Sequence, residues 1–198
     1  MRSIKLMGIA GATALAFSAF VGVSSAAAVS WSPQNTVEQA TAASNVVLTD
    51  NKGNTVTCTS LTNGSNNSYV KAPVNGNAAV AGTVNSSGSA APPQFGGCSS
   101  NLGSASVSAS GQWLFTATST TSVDASNASS KAVIAGGACT ITISNASAPG
   151  NSWSNSTHRL TLNSNDTFPI SESGFLCDGA TSAHESGTLQ LPSAVTIG

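Results

Sequence analysis

The stretch "ACTITIS", Ala138 to Ser144, alternates strictly: Cys139, Ile141 and Ile143 stand at one parity, Thr140 and Thr142 at the other. Successive side chains of an extended chain point to opposite faces, so the pattern reads as a strand with one core-facing side. "NTVTCTS", Asn54 to Ser60, carries the same signal, with Val56 and Cys58 opposite Thr55, Thr57 and Thr59. Outward from these two segments the texture hardly changes between Val29 and Gly198: short apolar or threonine-rich alternations are broken by clusters of Gly, Asn, Ser and Pro. Such a chain is an all-β domain.

"NVVLTD" and "TVTCTSL" flank "NKGN" and read as a hairpin; "SASVSAS" and "QWLFTAT", meeting at Ser110 and Gly111, read as a second. Later strands are expected at "KAVIA", "CTITIS", "HRLTL", "DTFPI", "GTLQL" and "AVTI". The one stretch with helical character, "PQNTVEQATAA" from Pro33 to Ala43, lacks a wide apolar stripe and is allotted at most a turn or two. Many strands with two apolar faces and no helices between them favour a sandwich or a Greek-key barrel.

Arg2 and Lys5 precede the apolar run "LMGIAGATALAFSAFVGV", which gives way to Ser24, Ser25, Ala26, Ala27 and Ala28. That order predicts a helical secretory signal peptide over residues 1–28 and a secreted product. About 170 residues then remain, enough for one domain. They divide into a lead-in over 29–44 and a single all-β domain over 45–198. Beyond residue 28 the cations are Lys52, Lys71, Lys131 and Arg159, against Glu38, Asp50, Asp124, Asp166, Glu172, Asp178 and Glu185. So few and scattered cations give no footprint for nucleic acid and no attraction to an anionic membrane surface.

Cys58, Cys98, Cys139 and Cys177 all lie in the exported part, where thiols are oxidised into bridges. No C-x2-4-C hook is present, which argues against zinc, and no metal or other cofactor is assigned. Cys58 to Cys98 and Cys139 to Cys177 are nearly equal separations, and their surroundings recur in order. "QFGGC" and "GFLC" are each followed by a Ser-Gly turn and an apolar alternation, "SGQWLFTAT" and "SGTLQLPSAV". The chain therefore reads as a diverged duplication, about 45–118 and 131–198, with bridges Cys58–Cys98 and Cys139–Cys177. Each bridge is expected to pin a glycine-rich loop to a core strand, with Phe95 and Phe175 buried beside it. Loop closure would give each about 4 kcal/mol, nearly the same as other pairings, so the recurrence and not the energy selects.

His158 in "NSTHRLTL" and His184 in "TSAHESGTL" invite a hydrolase with a serine and an acid such as Asp178, but no G-x-S-x-G elbow accompanies them and no catalytic residue is assigned. Asp166, Glu172, Asp178 and Glu185 cluster late in the chain, where paired carboxylates suit a glycosidase and oxygen ligands suit calcium. Without a D-x-D-x-D-G loop they read as solvated turn acids. Of the tryptophans, Trp113 shares its face with Phe115 and reads as core. Trp153, in the polar run "PGNSWSNS", is the candidate for ligand contact.

Taken together, the leader, "VTCTS", "GQWLFTAT", "GACTITIS", "NSTHRLTL", "GFLCDG" and "SGTLQLPSAVTI" resemble the small exported β-rich four-cysteine proteins of actinobacteria, which have no assigned activity. That resemblance implies a bacterial host, export and an all-β fold, and brings no active site. A fainter similarity to the neocarzinostatin-type apoproteins, exported two-disulfide Greek-key sandwiches, implies carriage of a small aromatic molecule. A low-charge surface rich in Ser, Thr and Asn then suits a non-enzymatic binding or structural role at the cell envelope or in the medium, toward cell wall, polysaccharide or protein. Small-molecule carriage is the alternative, with hydrolysis behind it.

Overall fold

The computed structural model describes residues 29–32, 37–63, 66–67, 69–71, 78–84, 90–91, 94–111 and 113–198; the leader read over 1–28 lies outside them. In chain order its strands begin β1 (Trp31–Ser32), β2 (Val37–Gln39), β3 (Thr41–Ala42), β4 (Val46–Asp50), β5 (Thr55–Ser60), β6 (Thr62–Asn63), β7 (Asn66–Asn67), β8 (Tyr69–Lys71), β9 (Ala78–Val84) and β10 (Ala90–Ala91). They continue β11 (Gly96–Ser100), β12 (Gly103–Ser110), β13 (Trp113–Ser119), β14 (Ser122–Ile134), β15 (Cys139–Ser154), β16 (Arg159–Thr161), β17 (Phe168–Ser173), β18 (Ser182–Ser186), β19 (Thr188–Gln190) and β20 (Thr196–Ile197). Among the described residues, Ala135–Gly137 is the only helical turn, and no helix is long and apolar enough to cross a membrane.

Eight of these strands close on themselves in the order β14, β12, β11, β5, β4, β18, β17, β15 and back to β14, all antiparallel. The alternation in "ACTITIS" and "NTVTCTS" is what permits the closure: Cys139, Ile141 and Ile143 and, from β5, Val56 and Cys58 are buried, while the intervening threonines are more exposed. A closed ring has no free edge, so the barrel itself needs no charges to guard one.

Strands β14 and β15 have 13 and 16 residues, well beyond the usual five or six. Both bend at an identical tetrapeptide, "SNAS" at 126–129 and at 144–147. Asn127 (φ 58°) and Asn145 (φ 49°) take the left-handed conformation that asparagine adopts more readily than other side-chain-bearing residues, and the register shifts beside each. Ala128 pairs with Ala146 between the two bends, and the Asn145 N–H donates to the Ser129 hydroxyl at 2.8 Å.

The same level of the neighbouring strand carries Gly111 (φ 72°), and here one expectation is corrected. Ser110–Gly111 is not a hairpin turn: β12 and β13 run in one direction and both pair with β14, so the glycine is a bulge within one long, bent run. The reversal comes later, between Ser119 and its partner Ser122. A Ser-Gly pair supplies a positive φ, which a turn and a bulge both need, and the sequence does not separate them.

Beyond the bends the strands open into a second sheet, ordered β2, β8, β9, β13, β14, β15, β16, β19, β3. Five runs of chain thus pass from barrel to outer sheet: 41–50, 103–111 with 113–119, 122–134, 139–154 and 182–190. The ends of the described chain pair as β1 and β20 and cover this sheet. Trp31, 2 % exposed, donates its indole N–H to the Phe115 carbonyl at 3.0 Å and meets Trp153 edge-on at 5.2 Å. Residues 29–44 are therefore more than a lead-in: Trp31 and Ala40 belong to the core. The segment 33–43, allowed at most a turn or two of helix, is extended at β2 and β3, while 33–36 lie outside the described residues.

The bridges are Cys58–Cys98 and Cys139–Cys177, the pairings that the recurrence selects. Their roles differ from the expectation. Cys98 lies within β11, directly opposite Cys58 of β5 with a Cα separation of 4.0 Å, so this bridge joins two paired strands and pins no loop. Cys177 does sit in a loop, tied to the first residue of β15. Phe95 is buried as expected, but Phe175 is 85 % exposed and buries nothing beside the bridge.

Candidate functional site: a cavity at the mouth of the barrel

An eight-stranded barrel is just wide enough either to be filled by side chains or to hold one small ligand. Here it is not filled. Where the five runs leave the barrel, a cavity of about 60 Å³ opens, and one of about 30 Å³ lies deeper among the barrel strands. One water takes roughly 10–15 Å³ by this measure, so the larger space has room for several waters or a small organic molecule. Val46, Phe95, Ser130, Ile143 and Glu185 line both spaces, which puts them side by side.

Small side chains make the space. Ala125, Ala128, Ala146 and Ala148, beside the bends in β14 and β15, line the larger cavity where bulkier residues would fill it. Large rings close it from other directions: Phe95 and Trp113, with centroids 5.9 Å apart, together with Phe115 and Phe168. Asn151 also lines it, but its amide is fully engaged, donating to the Val123 and Ala148 carbonyls and accepting from the Asn163 N–H.

Two carboxyl groups stand in this apolar lining. Glu185 lies at the parity of buried Ala183 on β18, so the strand aims it inward. The site is open enough that the residue keeps some solvent contact, yet protein surrounds the carboxyl itself, and burial raises its pKa from 4.5 to about 7. Asp166 lines the larger space, and its Oδ2 is buried without a hydrogen-bond partner. Among the described residues no basic side chain lines either space.

The late acids therefore divide in space. Asp166 and Glu185 enter the cavity. Glu172 and Asp178 instead gather with Asp50, carboxylate oxygens within 4.8 Å of one another, where the β4–β5 turn meets the Cys177 loop. Backbone and amide donors occupy this second group: Asp50 accepts from the N–H of Lys52 and of Asn54, Glu172 from the N–H of Gly179 and Ala180, and the Asn54 amide donates to both Asp50 and Asp178. It ties two loops together.

The other singled-out residues fall elsewhere. Trp153 is corrected from a polar loop to the end of β15: it is 3 % exposed, donates to Asn155 Oδ1 at 2.6 Å, and does not line the cavity. Trp113, read as core, is the tryptophan that lines it. His158 places Nδ1 2.9 Å from the Val195 carbonyl, and His184 lies on β18 opposite Thr49. Among the described residues neither histidine has a hydrogen bond to a serine hydroxyl. Comparison of the chain with protein-family models, with curated proteins and with solved structures finds no match.

Proposed function

We propose that this chain is an exported, non-enzymatic binding protein that holds one small, largely apolar molecule in the mouth of its barrel. The observation that carries the reading is the unfilled space itself: a protein interior is normally close-packed, and a void lined by Ala, Phe and Trp with two carboxyls costs stability unless something occupies it. Export is supported by the order of residues 1–28 and by two disulfides, which fit an extracellular or oxidising setting. The role joins the expected secreted binding domain to the carrier alternative, and it draws nothing from the histidines.

Filling the space tests it. Ala146→Leu adds bulk at a buried position on the cavity wall. Binding of small aromatic probes, followed by tryptophan fluorescence and thermal stabilisation, should be lost in this variant while the circular dichroism of the sheet is kept. A variant that binds as the parent does would refute the site.

A second reading rests on the Cys177 loop. Phe175 at 85 % and Leu176 at 42 % exposure sit on a segment held by the Cys139–Cys177 bridge. Large apolar side chains presented on a braced loop suit contact with a protein or polysaccharide surface. Phe175→Ala should then weaken retention on envelope preparations without altering probe binding in the cavity.

A further inference from the structure

We propose that the cavity selects organic amines: its ligand carries a protonated nitrogen, held by the Glu185 carboxylate, on a small apolar or aromatic body that fills the space among Phe95, Trp113, Phe115 and Phe168. The inference rests on the cavity-binding reading and names the chemical class that the reading leaves open.

Three observations converge on a cation. The charge-bearing groups of the lining are of one sign: Asp166 and Glu185 line the cavity, and among the described residues no Lys, Arg or His does. Neither carboxyl is satisfied internally. Asp166 Oδ2 is buried and unpartnered, and no protein donor reaches the Glu185 carboxyl among the described residues. Asp50, by contrast, accepts from two backbone N–H groups on one oxygen and from the Asn54 amide on the other, so the fold does satisfy an acid that it uses for structure.

The third observation is the ring set. Four aromatic side chains, one of them tryptophan, line the same space as the carboxyls. Aromatic faces attract cations, most strongly where water is displaced, and the combination of rings with a carboxylate is a recognition set for an ammonium group. A carboxylate-bearing or phosphorylated ligand would meet two like charges here, with nothing to offset them. A purely hydrocarbon ligand would leave Asp166 Oδ2 buried and unpartnered and would shield Glu185 from solvent with no donor in return, a cost that an N–H donor removes.

Position assigns the roles. Glu185 lines both the outer and the deeper space and is placed to contact the nitrogen, whereas Asp166 lines the outer space alone and adds attraction at entry. The cavity holds no other titratable side chain among the described residues; His184, next in sequence, lies at the opposite parity of β18.

Three shape-matched probes test this on the oxidised full-length chain at pH 8: benzylammonium, benzyl alcohol and toluene, titrated calorimetrically. Benzylammonium should bind about tenfold or more tighter than the other two, the factor a desolvated cation–carboxylate or cation–ring contact supplies. In Glu185→Gln that preference should collapse, while toluene binds as before. Equal affinity for all three probes in the parent, or a preference that persists in the variant, overturns the amine assignment and leaves the cavity reading standing. Failure of all three probes to bind overturns both.

Discussion

Glu185 offers a direct test of whether a carboxyl truly sits in an apolar cavity. Its pKa is raised from 4.5 to about 7, so between those values the folded chain keeps a proton that the unfolded chain has released. Stability contributed by that proton is complete below pH 4.5 and is lost as the pH rises through about 7. A shift of this size corresponds to about 3 kcal/mol, at about 1.4 kcal/mol per pKa unit. Glu185→Gln replaces the acid with a neutral side chain of the same shape. At pH 4.5 the two proteins should be nearly equal in stability, and at pH 8 the variant should be more stable by about 3 kcal/mol. Urea unfolding at half-unit pH intervals, followed by tryptophan fluorescence without added ligand, measures the difference. Every other titrating group is common to the two proteins, so the subtraction isolates position 185. Parallel profiles from pH 4.5 to 8 would show that the carboxyl is solvated, and would remove the buried acid from the site.

Gly187 joins β18 to β19 at φ 148°, where a Cβ would stand 2.9 Å from the Asn45 carbonyl oxygen and 3.1 Å from Val46 Cα. Gly187→Ala should cost more than about 2 kcal/mol in chemical denaturation, because backbone atoms cannot rotate away. Replacing Cys58 and Cys98 by Ala should cost about 2–5 kcal/mol and release amide exchange first along β5 and β11, since the bridge spans paired strands. Exchange that instead rises only in loops would contradict the cross-strand role. Phe175→Ala should change stability by no more than about 0.5 kcal/mol in the same assay, given 85 % exposure.

How much of this is legible in the chain depends on what alternation encodes. It identifies a strand and its inward face, so "ACTITIS" and "NTVTCTS" locate Cys139, Ile141, Ile143, Val56 and Cys58 on the buried side. The nearly equal cysteine separations, with surroundings that recur in order, select the pairing. Alternation does not say whether a strand continues past a glycine, and so Gly111 reads as a turn when it is a bulge. Nor does local polarity reveal that Trp153, flanked by Asn and Ser, lies under a ribbon formed by β1 with β20, because that contact joins residues far apart in the chain.

The cavity is the hardest feature to read from sequence, because inward alanines look the same whether partners fill the space before them or leave it open. Ala125, Ala128, Ala146 and Ala148 satisfy the alternating pattern in either case. Only the double bend at the two "SNAS" segments, which turns β14 and β15 out of the barrel, separates them from the opposite wall. Glu185 is different, for its parity with Ala183 in the "AHES" run already marks it as an inward acid. Sorting the late acids by strand parity, instead of by nearness in sequence, separates Glu185 from the loop residue Asp178. A buried acid with no internal partner weakens the fold above neutral pH, and the alanines beside it give up packing that larger residues would supply. Both costs fall on the same few residues at the barrel mouth. Losses concentrated at one accessible place, while Asp50 draws two backbone donors in its own turn, support the proposed binding role, since an occupant would offset both.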